Sequence, residues 1–463
     1  MPSIVIDLDP ILSVAGDPLS AAEFLLTRGA WVIFVYFLWW MGKALWMNHI
    51  QNNFLAEKLR PVLLAIDVPK LSLQTPKAVE NIFAHLAGAH GSHNRREKYF
   101  HGNLQEWFSL EMVSIDGYVQ FLVWTWDKYR DLVETAIYAQ YPDAQITEVE
   151  DYAKAIPKQY PDTEWDAWGT ELILVKDQGY PIRTWEQFEH KGIKDEPFKD
   201  PLAAMLENLA RIGPGEQIWI QILIKPIDQS WQKKAVLLVK KLIGAKVPEQ
   251  KSALDSVMGT VGAIANPILN EVAGVEFGAT TEKKKDEPLS KVLFMSPGER
   301  AVVELVEKKA SKIGFQTKIR VIYAARKEAF KKAHGAQAIV GAIKQYNTND
   351  ANALKPEFKS VGPSSLWLFK DRRNSWRKTK LVRAYQKRSM HVGMPAYVLN
   401  TEELASLWHF PTQAVHAPLI MRTDARRAQA PSSLPTTSSS APSSLPIPDQ
   451  KSGGPPPQLP VVS

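Results

Sequence analysis

Nine basic side chains fall between residues 370 and 388: Lys370, Arg372, Arg373, Arg377, Lys378, Lys380, Arg383, Lys387 and Arg388, against the single acid Asp371. Trp376 and Tyr385 lie among them. Such a run suits phosphate. Each neutralised phosphate releases condensed counterions, and an interleaved aromatic ring can stack on a base. The same charges suit an anionic leaflet, at about 1 kcal/mol per basic residue close to its surface. An acidic protein partner is the third option, and a merely solvated helix face is the fourth. The candidate nucleic-acid or anionic-lipid contacts are therefore these nine residues together with Trp376.

Other chemistry is less well supported by spacing. His85, His90, His93 and His101 are close in sequence, but they do not fall on one helical face and Glu97 is the only nearby carboxylate. A metal-dependent hydrolase built on them is an alternative, set against a polar loop leading into a hairpin. Ser109, Glu111, Ser114 and Asp116 sit in or beside two alternating strands, where polar residues on a wet face are ordinary. No G-x-x-x-x-G-K-[ST] occurs, so the chain is not by itself a P-loop ATPase. No catalytic, cofactor-binding or metal-ligating residue is assigned, and a non-enzymatic protein is expected.

A second stretch has a different use. Gly29 to Gly42 carries no charged side chain, and the apolar character runs from about Phe24 to Trp46 with Lys43 as an interruption. That is roughly the 20 residues a bilayer-spanning helix needs. Trp31, Phe34, Tyr36, Trp39, Trp40 and Trp46 are the candidate anchor residues, several with rings suited to headgroup depth. The competing readings are a buried core helix and a cleaved signal peptide. Against the first stands the absence of a polar face, and against the second the acidic preceding segment and the lack of a small-residue cleavage site. Lys43, Lys58 and Arg60 follow the span while only Arg28 precedes it. The positive-inside rule then puts residues 1–20 outside the inner membrane and the bulk of the chain in the cytoplasm.

The chain has 463 residues, a formal charge of +7, 15 tryptophans and no cysteine, which excludes disulfides and thiolate metal sites. Residues 48–59 continue the anchor as a helix that ends near Pro61, and Lys77 to Gly88 spaces its apolar residues as a second helix. WFSLEMVSI and YVQFLVWTW flank Asp116-Gly117, the signature of a hairpin with a type I′ turn. A helix follows to about Gln140, then a weak strand at Gln145 to Val149. Strands are expected at Trp168 to Lys176 and Gln217 to Lys225, and helices at Leu202 to Ile212 and Ser230 to Ile243. Pro297 to Lys312 reads as a helix behind Ser296, followed by a strand at Gln316 to Ala324 and a helix at Lys327 to Tyr346. Ser365 to Phe369 is a further strand candidate, and Thr401 to Trp408 a short capped helix.

The resulting fold class is α+β: one N-terminal transmembrane helix (21–47), then a mixed or antiparallel sheet with helices packed on one side. The domains read as 48–250 and 293–422, joined by a Gly/Ala-rich and charged linker at 251–292 and followed by a disordered Pro/Ser-rich tail at 423–463. Helix–strand–helix order recurs in the two domains, which leaves open whether they share one sheet.

Four segments carry a resemblance: WFSLEMVSIDGYVQFLVWTWDKYRDLVETAIYAQYPDAQI, DPLAAMLENLARIGPGEQIWIQILIKP, TKIRVIYAARKEAF and NTEELASLWHFP. Over about residues 60–420 the chain resembles an uncharacterised family of membrane-anchored domains from candidate-phyla bacteria. In some relatives a conjugation-type, hexameric DNA-translocating ATPase follows the position of WHFP. Here the Pro/Ser tail follows it instead. The resemblance implies association with type IV secretion-like DNA transfer and a separately encoded P-loop ATPase as partner. The expected function is a membrane-anchored platform, with direct nucleic-acid binding as the alternative.

Overall fold

The computed structural model describes residues 30–68, 74–188, 200–245, 295–365 and 368–411. The chain divides into Met1–Asp424 and Ala425–Ser463, and every described residue belongs to the first unit. The expected N-terminal tail, linker and C-terminal tail, and the first residues of the expected span, lie outside the described residues.

Helix α1, Ala30–Lys58, runs unbroken from the apolar stretch into the polar residues after Met47. Among the described residues no helix is long and apolar enough to cross a membrane. Lys43 interrupts the apolar part of α1, and its indole and phenol rings are less apolar than aliphatic side chains. Strand β1, Pro61–Asp67, follows at once. The sequence reading ended a helix near Pro61 and assigned no element to this segment. Its five consecutive buried residues show no alternation, because β1 is covered on both faces and so lacks the period-2 signature of a half-wet strand.

Helix α2 (Pro76–Leu86) and the short α3 (Arg95–Phe100) lead to the hairpin β2 (Phe108–Ile115) and β3 (Tyr118–Trp126). Its turn residues Asp116 and Gly117 have φ of 54° and 91°, as a type I′ turn demands. Next come α4 (Arg130–Gln140), β4 (Gln145–Glu148), β5 (Trp165–Leu174), α5 (Ala203–Ala210), β6 (Glu216–Pro226) and α6 (Ser230–Leu242). Helix α7 (Pro297–Ser311) starts with a complete capping box between Ser296 and Glu299.

The long β7 (Gly314–Arg326) is followed by the segment expected as one helix, Lys327 to Tyr346. That helix is broken: a π turn at Ala333–Gln337 precedes the six-residue α8, Ala338–Ile343. At Gly335 the backbone lies so close to the Tyr323 ring that a Cβ would meet it at 2.4 Å. Then come β8 (Leu354–Pro356), the basic helix α9 (Lys370–Gln386), β9 (Tyr397–Asn400) and α10 (Thr401–Leu407). Instead of the strand expected at Ser365 to Phe369, the described residues hold a turn into α9, with Phe369 in the left-handed region at φ 57°.

The nine strands of the described residues form one antiparallel sheet in the order β4-β1-β3-β2-β6-β7-β5-β8, with β9 pairing the first residues of β7. Both expected domains therefore feed a single sheet, and their central strands β6 and β7 are direct neighbours. One sheet face buries Leu64, Met112, Ile220 and Val321 against α2, α4, α5, α8 and α10. The other buries Trp124, Trp219, Leu223 and Ile322 against Leu381, Val382 and Tyr385 of α9, with Phe54 and Leu55 of α1 packed alongside. Helices thus cover both faces, where the sequence reading placed them on one. The reason lies in β2, β6 and β7, whose near-continuous buried runs leave no wet face.

Candidate functional site

The expected anchor residues all lie on α1 and point outward: Trp31, Phe34, Tyr36, Trp39, Trp40 and Trp46 are each more than half exposed. Successive helical residues are about 100° apart. The consecutive residues Phe34, Val35, Tyr36, Phe37 and Leu38, all exposed, therefore turn apolar side chains through the whole circumference. Soluble monomers seldom leave an apolar surface of that extent uncovered.

The lower part of α1 is fixed to the body. Trp46 Nε1 donates to the Tyr99 carbonyl at 3.0 Å, and the Lys43 ammonium lies 5.3 Å from the Trp39 ring and 5.1 Å from the Tyr99 ring. Ile50 is buried, and Gly102, at φ 70°, passes so close that a Cβ would sit 2.3 Å from the Ile50 carbonyl oxygen. Helix α3 is therefore held against α1 where the apolar residues give way to polar ones.

The ten candidate contacts on the basic segment separate into three groups. Lys370, Arg372, Arg373, Trp376, Lys380, Arg383 and Lys387 are exposed. Trp376 carries the Lys380 ammonium 5.0 Å from its ring, and Leu368 and Phe369 stand exposed just ahead of the helix. Three cations crowd the first turn of α9, where the helix dipole opposes them by about 0.3–1 kcal/mol each. That arrangement sacrifices helix stability to concentrate positive charge. The second group, Arg377 and Lys378, is half-buried: Arg377 donates to the Gly362 carbonyl at 3.0 Å, and Lys378 pairs with Asp166.

The third group is Arg388 alone, and it is no surface residue. It is 1% exposed and is held by Glu111 at 3.0 Å and Asp151 at 2.5 Å. Its removal from the candidate contact surface has a clear cause: φ of 46° turns the chain inward just past α9, and two carboxylates wait beneath.

Those carboxylates belong to a feature that the sequence reading missed. Glu111, Gln221, Arg320 and Glu171 are direct cross-strand partners on β2, β6, β7 and β5, forming one polar rung across four strands. None is more than 1% exposed. Arg320 binds Glu171 at 2.8 Å and the carbonyls of Ser389 and Val392 at 2.6 Å each. Gln221 donates to Glu111 and accepts from Arg320. Tyr152 donates to Glu111 at 2.8 Å, and the Tyr385 hydroxyl lies 2.7 Å from that of Tyr152. Burial, and then the Glu111 carboxylate, pushes both hydroxyls far above the usual phenol range, which keeps them protonated donors. Hydrogen-bonded throughout and buried, the rung fastens α9 and residues 388–394 to the sheet. A polar residue in mid-run of each strand was the available signal.

Of the serine and carboxylate candidates in and beside the hairpin, only Ser109 and Glu111 meet, and no histidine joins them. Ser109 donates to Glu111 and Ser114 to the Leu209 carbonyl, both from fully buried positions. Among the described residues no three His, Asp or Glu side chains converge as metal ligands. His93 faces Glu97 at 3.8 Å, while His85 and His90 are exposed. A buried histidine lies elsewhere: His409 sits between Asp200, 2.9 Å from Nε2, and the Ala405 carbonyl, 2.7 Å from Nδ1.

Fold and surfaces together define an α+β body on an antiparallel sheet, borne on an exposed apolar helix and carrying a basic helix face. The chain belongs to the domain-of-unknown-function family DUF8128, whose profile matches residues 65–423. No curated protein matches it.

Proposed function

We propose that the protein is a membrane-anchored, non-enzymatic platform, with α1 as its single span and the body in the cytoplasm. The observation that carries this reading is the uncovered apolar circumference of α1 above a foot that is packed into the body. Arg95, Arg96 and Lys98 stand beside that foot, which agrees with cations on the cytoplasmic side. The exposed part of α9 is the docking face for an acidic or phosphate-bearing partner. The resemblance to anchored domains fused to DNA-translocating motors supports a separately encoded ATPase in that role. Alkaline extraction of membranes carrying the full-length chain should leave it in the pellet, and recovery in the supernatant would sink the anchor.

Direct nucleic-acid binding is the second reading, favoured by Trp376 at 60% exposure among Arg372, Arg373 and Lys380. It requires DNA affinity that falls steeply with salt. A motor-docking face instead requires co-purification of an ATPase from native membranes, lost when those cations are neutralised.

A further inference from the structure

At the foot of α1 lies a cleft of about 380 Å³ lined by Gln51, His93, Lys98, Gln105, Lys225 and His391, with Trp107 among the remaining lining residues. It holds four basic side chains and no carboxylate. Glu97, beside Lys98, caps α3 through Asn94 and pairs with His93 Nδ1, while Glu106, between Gln105 and Trp107, is held by Lys128 and Tyr129. The other ring nitrogen, His93 Nε2, is buried without a hydrogen-bond partner. Among the described residues the Lys225 ammonium has no ion-pair or hydrogen-bond partner either. Burial and then Lys98 hold Lys225 below the usual amine range; burial, then Lys225 and Lys318, hold His391 below the usual imidazole range. Lys98 disfavours the charge on Lys225, and Lys225 that on His391, so an anion in the cleft would favour the charged form of both.

Position narrows the anion. Gln51 is four residues beyond Met47, the last apolar residue of the exposed stretch, which is about 6 Å along a helix axis. The headgroup layer on each side of a bilayer is about 5–8 Å deep. We propose that this cleft is a phosphate site whose occupant is the phosphodiester of an anionic phospholipid in the leaflet that α1 enters. The phosphate chemistry stands on the cleft alone; the lipid source rests on the anchor reading. Lys225 and His391 would meet the phosphate oxygens, and Lys98 the anionic headgroup beyond them.

The test uses the full-length chain, delipidated in neutral detergent, titrated by calorimetry with dihexanoyl phosphatidylglycerol, dihexanoyl phosphatidylcholine and inorganic phosphate. Phosphatidylglycerol should bind about tenfold more tightly than phosphatidylcholine, and Lys225→Met should weaken it about tenfold. His391→Gln, on an exposed loop, should weaken it as well, and Arg211→Ala, at the exposed end of α5, should not. Inorganic phosphate binding that Lys225→Met abolishes, with no preference between the lipids, overturns the lipid occupant. No binding by any of the three ligands overturns the site. Membrane fractionation of wild type separates the two readings: a soluble chain that still selects phosphatidylglycerol removes the anchor and keeps the cleft.

Discussion

Arg388 offers the sharpest test, because its sequence context and its structural position assign it opposite roles. Truncation to alanine strands Glu111, which is 0% exposed and otherwise receives hydrogen bonds from Ser109, Gln221 and Tyr152. Removing one partner of a buried pair costs about 3–5 kcal/mol. For a body of roughly 300 ordered residues the unfolding entropy is about 0.6 kcal/mol/K, so the midpoint should drop by about 5–8 °C. The assay is thermal unfolding followed by near-ultraviolet circular dichroism in detergent, where the buried tryptophans report packing. Arg372→Ala and Arg373→Ala, on the exposed turn of the same helix, should each stay within about 0.5 kcal/mol of wild type. Arg388→Met combined with Glu111→Gln should recover part of the loss, since neither residue then leaves a buried charge unpaired. Equal, small effects at positions 372 and 388 would refute the buried rung as described.

Lys318 is 2% exposed, with its ammonium donating to the Val392 carbonyl at 2.8 Å. Burial holds it down to about 8, opposed by Glu171 and assisted by Arg320. Between that value and the ordinary 10.5 the unfolded chain keeps the proton and the native chain does not, so stability should rise with pH across the window. Below about pH 8 the native state bears the whole cost, up to about 3 kcal/mol. Lys318→Met should therefore gain about 1–2 kcal/mol at pH 7 and flatten the rise, because Arg320 still serves the Val392 carbonyl; denaturant titrations at pH 7 and 9.5 decide it. His409→Ala should cost about 1–3 kcal/mol by removing the buried ring that bonds Asp200 and the Ala405 carbonyl, read from the denaturant midpoint. Gly102→Ala should unseat the foot of α1 and raise amide exchange in residues 95–103 while the sheet stays protected. Neutralising Arg372, Arg373 and Lys380 together should abolish partner or DNA capture and leave the unfolding midpoint unchanged or slightly raised, and a lowered midpoint would speak against a purely surface role.

Local chemistry made much of this fold readable. Asp116-Gly117 specified its own turn, and Ser296 with Glu299 announced the start of α7, because each signal is complete within a few residues. β1 escaped notice since burial on both faces erases alternation. The π turn at 333–337 lies where Gly335 meets the Tyr323 ring, and the sequence of the central strand that supplies this ring gives no hint of it. The basic face was legible as a charge run, but its accessible part was not. Arg372 and Arg388 look alike in sequence; what separates them is Glu111, 277 positions away. The cationic cleft was likewise hidden, its lining drawn from α1, the residues around α3, the end of β6 and the loop after α9.

The strand order also constrains how the molecule comes into being. β7 sits between β6 on one side and β5 and β9 on the other, yet it leaves the ribosome after both β5 and β6. Until residue 326 has emerged, each of those earlier strands presents a naked hydrogen-bonding edge, the kind that recruits wrong partners. If α1 has by then entered a bilayer, the half-built sheet waits tethered beside other nascent copies, where local concentration is high and escape is barred. Biogenesis of this protein should accordingly lean on a chaperone that shields unpaired edges during translation of the segment ahead of β7.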